Sequence, residues 1–329
     1  MLSVAMLSRW HVHANDYARQ ANSHPDMRIS AVWDEDAARG RSWAEELGVP
    51  FHQDLAALLA RPDIDGVIVD TPTSMHRDVI VQAAKNGKHI FSEKVLGLSV
   101  EECDGIFAAV DSSGVELMLS LPRLSHPYYL FVQRVVDSGS LGQITMIRCR
   151  LAHNGAVPAK GRPHGWLPEY FFDPETCGGG ALIDLGAHTI YLTNRLGGAV
   201  KAVTARLTHT LGRAVDDNSV VIVEYEQGAL GVLETGFASG GSPFQLQVYG
   251  TEGMLAVENE SVRMKVGDSW ETPELPPAIA SPLEQWAAAI LHRVPPAIGR
   301  ADMRRLTEIN QAAAASHAGG RRVLLDSRH

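Results

Sequence analysis

The chain has 329 residues, of which 45% are hydrophobic and 20% charged, and a net charge of −9. This length and apolar content predict one large domain or two domains with full cores, and they exclude a disordered chain. The negative charge without a basic run argues against nucleic acid or an anionic membrane as a partner, and no apolar stretch approaches the roughly 20 residues of a spanning helix.

The cysteines and the N-terminal residues bear on the cellular compartment of the protein. Cys103, Cys149 and Cys177 are scattered and odd in number, which predicts thiols in a reducing environment, not a disulfide frame or a zinc site. The chain begins with a strand-like run and lacks the charged-then-apolar pattern of a signal peptide. We therefore expect a cytoplasmic protein.

The first 120 residues alternate between strand and helix signals. An almost wholly apolar run at 64–72 ends in Pro72, as a buried parallel strand should. Gly48 stops one helix, and Ser99 with Glu102 three residues on caps another. The predicted strands are 2–7, 28–33, a short one within 50–60, 64–72, 89–95 and 115–121, and the predicted helices are 13–24, 36–48, a short one within 50–60, 76–88 and 99–114. This order predicts βαβ units in a Rossmann domain over residues 1–121, with a doubly wound parallel sheet and right-handed crossovers.

The pattern changes after about Leu121, where strand-like stretches follow one another without intervening helices. Glycine-containing turns between them favour an open, largely antiparallel sheet. The predicted strands are 142–153, 202–211, two within 219–237, two within 244–259 and 261–267, and the predicted helices are 129–139, 181–198, 281–293 and 301–320. Residues 122–329 are therefore predicted to form an α+β domain with one sheet face covered by helices.

The turn after the first strand lies where a dinucleotide-binding fold has its glycine-rich loop, yet it contains no glycine. Ser8 takes the place of the first glycine, Trp10 lies near the second and His13 near the third. Ser8 can hydrogen-bond a phosphate, and His11 or His13 can donate to one. The turn is thus either a rewritten phosphate site or one that has lost phosphate binding. No Cys or carboxylate cluster supports a metal site at His11, His13 and His76, so none is predicted.

Asp34 ends the second strand, 26 residues after Ser8. An acid there hydrogen-bonds the adenosine ribose of NAD and repels the 2′-phosphate of NADP. Glu35 and Asp36 follow directly, so a solvated turn is the alternative, while Arg39 keeps NADP possible. We predict NAD as the cofactor, with NADP possible.

Two further stretches carry candidate catalytic groups. Lys94 ends a later strand, on the side of a sheet where ligands bind. Asp184 and His188 are four residues apart, so on a helix they share one face, and three glycines precede that helix. A histidine oriented by a carboxylate is a general base for a hydroxyl proton, and a lysine beside the same oxygen stabilises an alkoxide as hydride leaves. A solvated lysine and a structural Asp–His pair are the alternatives.

Four motifs occur in a characteristic order: "TPTSMH" (71–76), "SEKV" (92–95), "GGGALIDLGAH" (178–188) and "YGTEG" (249–253). Together they resemble the Gfo/Idh/MocA family of sugar and polyol oxidoreductases, which includes glucose–fructose oxidoreductase and inositol dehydrogenase. The resemblance covers nearly the whole chain. It implies an N-terminal Rossmann domain that binds NAD(P), a C-terminal α+β domain, and a homo-oligomer, dimer or tetramer, formed through the C-terminal sheet.

The resemblance also implies roles for individual residues. Lys94 matches the catalytic lysine, and His188 matches the acid/base, with Asp184 placing the substrate or His188. The loop near the nicotinamide and the cofactor-side carboxylate are matched by Thr71, Pro72, His76 and Glu93. The sequence departs from the family pattern in its phosphate loop and at Val95, which replaces a proline.

Four residues are candidates for substrate binding. Tyr191 replaces an acid three residues after His188, and its hydroxyl can bind a substrate hydroxyl. Arg123 follows the sixth strand, where the family's substrate cleft opens, with a surface ion pair as the alternative. His164 and Trp166 lie in a loop whose residue types suit stacking and hydrogen bonding to a sugar ring, with simple packing on the next helix as the alternative.

We therefore predict an oxidoreductase that transfers hydride between NAD and a secondary hydroxyl or ketone of a sugar, polyol or sugar derivative. Two other classes stay open. One is an NAD-dependent, redox-neutral, glycoside-cleaving enzyme, in which cofactor copurifies and no net NADH forms. The other is a non-catalytic sensor that has lost the cofactor, which the missing glycines favour and Lys94, Asp184 and His188 oppose.

Overall fold

The computed structural model describes residues 1–325, whose contacts divide them into two compact units. The first unit contains Met1–Pro122 and Ala280–Arg304, and the second contains Arg123–Ile279 and the residues from Arg305 onward. The sequence analysis predicted two domains with one boundary, between residues 121 and 122. The contacts assign residues 280–304, which lie far beyond that boundary in the chain, to the first unit. None of the helices within residues 1–325 is long and apolar enough to cross a membrane.

The first unit contains alternating strands and helices over residues 1–122. The strands are β1 (Leu2–Leu7), β2 (Met27–Trp33), β3 (Phe51–His52), β4 (Gly66–Val69), β5 (His89–Ser92) and β6 (Leu117–Leu119). The helices are α1 (Ala14–Ser23), α2 (Ala37–Leu47), α3 (Leu55–Leu59), α4 (His76–Lys85) and α5 (Val100–Ser113). All neighbouring pairs are parallel in the order β3-β2-β1-β4-β5-β6. The predicted Rossmann sheet is therefore confirmed.

Local chemistry sets the ends of these helices. The Ser99 hydroxyl accepts from the Glu102 N–H (3.2 Å) at the start of α5, and the Asp36 carboxylate caps α2. Gly48 and Gly114 end α2 and α5 with φ of 69° and 64°, a conformation that glycine adopts without strain. β4 is buried along its whole length, as its apolar run predicted.

The second unit contains most of the remaining elements. The strands are β7 (Ile144–Ala152), β8 (Val200–Thr208), β9 (Asn218–Tyr225), β10 (Leu230–Gly236), β11 (Gln245–Gly250), β12 (Gly253–Glu258), β13 (Ser261–Val266), β14 (Ser269–Glu271) and β15 (Val323–Leu324). The helices are α6 (Pro127–Asp137), α7 (Pro174–Cys177), α8 (Ala181–Asp184) and α9 (Gly186–Gly197). Helix α10 (Pro282–His292) lies in the first unit, and α11 (Arg300–Gly319) runs across the division at residue 304.

Between residues 123 and 325, nine strands form one sheet in the order β14-β13-β12-β11-β7-β10-β9-β8-β15. The β7–β10 pair is parallel and the other pairs are antiparallel. Helix α9 packs on β7 and β10. Along β9 and β10, Val220, Ile222 and Leu230 are 40–42% exposed and alternate with buried residues, so this part of the sheet has an open face. The predicted largely antiparallel α+β domain is confirmed.

Candidate active site

The turn after β1 has a left-handed residue at its first position, as a glycine-rich loop does, but contains no glycine. Ser8 is fully buried and has a φ of 75°, in the left-handed region that glycine normally occupies. Its N–H donates to the Trp33 carbonyl (2.7 Å), and its hydroxyl accepts from the Trp10 N–H (3.0 Å). The serine side chain therefore stabilises the turn from within the protein.

The aromatic residues of this turn differ in exposure. Trp10 is 5% exposed and His11 6%, and the His11 N–H donates to the Asp70 carbonyl (3.1 Å). His13 precedes α1 with its side chain 46% exposed and its Nδ1 3.5 Å from the Asp16 carboxylate. Of the two predicted phosphate donors, His13 is the accessible one. Within residues 1–325, no three His, Cys, Asp or Glu side chains are grouped so that they could hold a metal ion.

Asp34, at the end of β2, is saturated by donors from the protein. Its Oδ2 accepts from the Arg9 N–H (2.8 Å) and Arg39 Nε (2.9 Å), and its Oδ1 accepts from the Asp36 N–H (2.8 Å) and Arg39 Nη2 (2.6 Å). A carboxylate offers about four acceptor positions, so all of them are in use. A ribose hydroxyl would therefore reach Asp34 only after Arg39 moves away.

A buried ion pair follows β5. Lys94 Nζ lies 3.8 Å from Glu93 Oε1, and both side chains are 3% exposed. The Tyr17 hydroxyl from α1 hydrogen-bonds the other carboxylate oxygen of Glu93 and lies 2.7 Å from Ser120 Oγ. Burial opposes ionisation of Glu93, but the neighbouring His11 and Lys94 hold the pKa of its carboxyl below the ordinary value. Glu93 is therefore an anion that fixes the Lys94 ammonium at the ligand-binding edge of the sheet.

The carboxyl end of β4 carries polar atoms that no described residue satisfies. Both carboxyl oxygens of Asp70 and the Thr71 hydroxyl are buried without a hydrogen-bond partner within residues 1–325. Burial, and then the charge of Glu93, raises the pKa of Asp70 well above its ordinary value, which favours the neutral acid. The strand order reverses between β1 and β4, where doubly wound sheets bind their ligands. Unsatisfied polar atoms at this crevice fit a polar ligand such as a dinucleotide.

His76, predicted to lie in the loop near the nicotinamide, lies between the backbone carbonyl groups of two loops. Its imidazole is buried, with Nδ1 2.7 Å from the Val95 carbonyl oxygen and Nε2 3.2 Å from that of Thr71. Burial lowers the pKa of His76 to about 4, so the ring is neutral at physiological pH. The Lys94–Val95 peptide bond is cis. A neutral ring carries one N–H and donates to only one of the two carbonyl oxygens. The shorter distance assigns this hydrogen bond to Nδ1 and Val95, in the segment that follows Lys94.

The second unit places Asp184 and His188 on consecutive short helices. Helix α8 ends at Asp184 and α9 begins at Gly186, so the single helix predicted over 181–198 is interrupted at Leu185. Leu185 keeps helical angles, and the His188 N–H donates to its carbonyl (3.2 Å). This i to i−3 bond tightens the turn in the manner of a 3₁₀ helix.

Asp216, which the sequence analysis did not single out, fixes the start of α8. Its buried carboxylate accepts from the N–H groups of Gly180 (3.0 Å) and Leu182 (2.9 Å) and from the Ser219 hydroxyl (2.6 Å). A Cβ on Gly180 would lie 2.0 Å from the Asp216 carbonyl oxygen, so only glycine permits this close approach. The available sequence signal was an acidic pair directly before β9.

The predicted substrate residues Arg123 and Tyr191 make contacts inside the second unit. Tyr191 is 1% exposed, and its hydroxyl oxygen lies 2.7 Å from His188 Nδ1 and accepts from the Arg123 N–H (3.3 Å). The Arg123 guanidinium donates to the Tyr128 hydroxyl (3.1 Å) and lies 4.6 Å from the centre of the Phe244 ring. Both residues are therefore anchored by other groups of the second unit, and their contact with substrate stays a prediction.

His164 and Trp166 are accessible on the loop after β7. The His164 side chain is 52% exposed, and Trp166 is 46% exposed. The Trp166 indole N–H donates to the Asn154 side chain (3.2 Å), and its ring lies 4.7 Å from that of His153. A ring held in this way offers an accessible face for stacking.

The doubly wound sheet is that of a dinucleotide-binding protein, and the buried lysine–glutamate pair lies at its ligand edge. This chain belongs to the Gfo/Idh/MocA oxidoreductase family, as the motifs indicated. A family model described as an oxidoreductase family with an NAD-binding Rossmann fold matches residues 11–121. A model of the GFO/IDH/MocA C-terminal domain matches residues 129–256.

Individual relatives agree with this assignment. The scyllo-inositol 2-dehydrogenase (NAD(+)) of Bacillus subtilis is 31% identical over 247 residues, covering 71% of this chain and 67% of the relative. The inositol 2-dehydrogenase of Rhizobium meliloti is 27% identical over 292 residues, covering 83% and 84%. The crystal structure of GenD2 from gentamicin A biosynthesis, in complex with NAD, has a TM-score of 0.85 at 25% identity and covers 99% of this chain and 96% of its own. The predicted enzyme class and NAD cofactor are confirmed.

Proposed function

We propose that this enzyme transfers hydride between NAD and a secondary hydroxyl or ketone of a small polyol or sugar. The buried Lys94–Glu93 pair carries the proposal, because it places an ammonium at the ligand edge of an NAD-binding sheet. The two relatives named as inositol dehydrogenases support a polyol as the substrate class. Lys94 polarises the reacting oxygen, His188 exchanges its proton, and Asp184 places His188 or the substrate.

The dinucleotide is held by the residues at the carboxyl ends of β1, β2 and β4, and its nicotinamide ring supplies the hydride acceptor or donor. Ser8 shapes the phosphate loop, and His13 at the start of α1 is the accessible donor for a phosphate. Thr71 offers a buried hydroxyl for a ligand to satisfy. The Arg39 guanidinium donates to both carboxylate oxygens of Asp34. Arg39 would therefore contact the ribose, and Asp34 would hold Arg39 in place.

Substrate contact is best supported at His164 and Trp166, whose side chains are exposed on one loop. A ring sugar or cyclitol would stack its apolar face on the Trp166 indole and hydrogen-bond the His164 imidazole at its edge. Replacing Trp166 by alanine should raise KM for the substrate with little change in kcat, because uniform binding is lost.

The homo-oligomer stays a proposal that rests on the open face of the second sheet. Val220, Ile222 and Leu230 expose apolar surface on adjacent strands, which a second copy would cover. Ile222→Glu should lower the molar mass measured by light scattering to that of a monomer. An unchanged mass would place the contact elsewhere. The cytoplasmic location also remains a prediction, consistent with the three free, buried cysteines.

Calorimetric titration with NAD⁺, NADH, NADP⁺ and NADPH, followed by absorbance assays with scyllo-inositol and D-xylose, tests the proposed function. We expect saturable NAD(H) binding and NADH formation. Lys94→Ala should slow NADH formation by about 100-fold or more, and Lys85→Ala, at a surface lysine on α4, should leave it unchanged. Substrate conversion with retained cofactor and no net NADH would identify redox-neutral chemistry. Binding of none of the four nucleotides would refute the proposal.

A further inference from the structure

The Tyr17 hydroxyl joins three elements of the first unit at the carboxyl edge of its sheet. Tyr17 lies on α1, and its hydroxyl contacts the Glu93 carboxylate after β5 and lies 2.7 Å from Ser120 Oγ after β6. All three side chains are buried. Lys94 Nζ lies 3.8 Å from Oε1 of Glu93, whereas Tyr17 contacts Oε2, so the lysine and the tyrosine meet different oxygens of the same carboxylate.

The direction of these hydrogen bonds follows from the chemistry of the groups. A carboxylate can only accept, so the single hydroxyl proton of Tyr17 goes to Glu93. The tyrosine oxygen is then left to accept, and Ser120 is the donor in the second bond. The result is a chain in which Ser120 donates to Tyr17 and Tyr17 donates to the Glu93 anion. Hydrogen bonds to an anion are shorter and stronger than those between neutral groups.

The Tyr17 ring is itself held by aromatic contacts. It meets the Phe91 ring edge to face at 69°, with ring centres 5.2 Å apart, and the Phe91 ring lies 6.0 Å from that of Trp286 on α10. Phe91 and Trp286 are both buried. Close packing of this kind restricts the ring, so the hydroxyl reaches Glu93 from a fixed position.

We propose that Tyr17 is a positioning residue for Lys94, and that its hydroxyl holds the Glu93 carboxylate in the orientation that turns the other oxygen toward the ammonium. A glutamate carboxylate rotates easily about its last carbon–carbon bond, so without this hydrogen bond the ion pair loses its fixed geometry. A displaced ammonium should slow hydride transfer more than it weakens substrate binding, because it acts on the charge that develops during the reaction. The role of Tyr17 rests on the proposed function of Lys94.

The test compares Tyr17→Phe, which keeps the ring and removes the hydroxyl, with a matched control, Ser3→Ala. Ser3 is buried at the amino end of β1 in the same sheet, and its hydroxyl oxygen lies 2.7 Å from that of Ser30. The control therefore also removes one buried hydroxyl, at the edge of the sheet opposite Lys94. Circular dichroism shows whether each variant is folded, and steady-state kinetics measure its kcat and KM.

Chemical labelling reports on the lysine without cofactor or substrate. Acetic anhydride modifies lysine amines, and mass spectrometry gives the rate at each position. Lys88 is the internal reference, because it is buried directly before β5 and its ammonium donates to the carbonyl groups of Arg61 (2.6 Å) and Ile64 (2.8 Å). General loosening of the unit would raise the rates at both lysines. A displaced Glu93 would raise the rate at Lys94 relative to that at Lys88.

We expect Tyr17→Phe to raise the ratio of the Lys94 rate to the Lys88 rate by about 3-fold or more, and to lower kcat by about 10-fold with little change in KM. Ser3→Ala should change neither the ratio nor kcat. An unchanged ratio in folded Tyr17→Phe would overturn the proposal. A raised ratio with wild-type kcat would also overturn it, because the position of the ammonium would then not matter for turnover.

The wild-type protein provides a second measurement that needs no variant to fold. A Lys94 held by Glu93 should react much more slowly than Lys85, which is exposed on α4. Equal rates at the two lysines would show that Lys94 is not held, and would overturn the proposal. Failure of the proposed function appears separately, as absence of turnover in the wild-type protein, and the labelling ratio then still decides whether Tyr17 holds the ion pair.

Discussion

Replacing Asp216 by alanine removes the carboxylate that fixes the start of α8. Three donors lose their acceptor: the N–H groups of Gly180 and Leu182 and the Ser219 hydroxyl, at 3.0, 2.9 and 2.6 Å. The Gly180 and Leu182 N–H groups lie at the N-terminus of α8, where a carboxylate also interacts favourably with the helix dipole. Helix α8 leads directly into Asp184, so the perturbation reaches the proposed catalytic histidine through the backbone.

The magnitude follows from the count of bonds and from burial. Hydrogen bonds to a charged group are each worth about 1.5–3 kcal/mol, and they are not additive. Asp216 is 5% exposed, so water would form few replacement hydrogen bonds with the three donors. We therefore expect the free energy of unfolding to fall by about 3–5 kcal/mol, which a domain of ordinary stability, about 5–15 kcal/mol, can survive. Displacement of His188 should lower kcat/KM by about 100-fold.

Asp217→Ala is the matched control. Asp217 is also buried and accepts three bonds, from the Thr210 N–H (2.9 Å), the Thr210 hydroxyl (2.6 Å) and the Leu211 N–H (2.6 Å). It holds the turn after β8 instead of α8. Urea unfolding should show similar destabilisation of both variants, whereas steady-state kinetics should show a large loss of kcat/KM in Asp216→Ala alone. Equal kinetic losses in the two variants would refute the positioning argument.

Three further predictions concern the candidate catalytic residues, Tyr17 and His76. Lys94→Ala and His188→Ala should each lower kcat by about 100-fold or more in protein that circular dichroism shows to be folded, and wild-type rates in either would remove that residue from the mechanism. Tyr17→Phe removes a donor to the buried Glu93 and should cost about 1–3 kcal/mol in urea unfolding; a loss near zero would show that the bond contributes nothing in solution. Burial lowers the pKa of His76 to about 4 in the folded chain, against about 6.5 in the unfolded chain, so between these pH values the unfolded chain binds the extra proton. The free energy of unfolding should therefore fall by about 3 kcal/mol as the pH drops from 6.5 to 4, and His76→Gln should flatten that slope; parallel profiles would contradict the assignment.

The order of strands and helices was predictable because each element carries its own local signal. β1 was expected and found at residues 2–7, and Ser99 and Gly48 act at helix ends as predicted. The placement of α10 was not predictable, although the helix itself was. Its Trp286 packs against the site of Gly66, where a Cβ would lie 2.9 Å from the indole ring. Nothing in the local pattern says which sheet such a helix covers.

The candidate site was predictable in residue type but not in hydrogen bonding. Asp34 was expected to offer a carboxylate to a ribose, but Arg39 and two backbone N–H groups occupy it. Tyr191 was predicted to contact substrate, and its hydroxyl oxygen lies 2.7 Å from His188 Nδ1. In each case, other protein groups occupy the hydrogen-bonding positions on which the predicted role depended. The spacing of residues along the chain does not specify which groups will be neighbours in the folded protein.

The turn after β1 has no glycine, so other residues must provide the backbone conformation and the space that a phosphate needs. A glycine-rich loop needs a left-handed residue and room for a phosphate beside the backbone. Ser8 supplies the first at φ 75°, with its hydroxyl bonded to the Trp10 N–H. The bulk of Trp10 lies in the interior, at 5% exposure, so the indole does not occupy the outer side of the turn. The exposed residues of the turn are Val12, at 40% exposure, and His13. A phosphate that approaches the start of α1 would therefore contact the His13 imidazole, whereas a glycine at this position would leave the backbone accessible. Nucleotide affinity should therefore depend on the His13 side chain, so His13→Ala should raise the Kd measured by calorimetric titration, and an unchanged Kd in this variant would place the phosphate elsewhere.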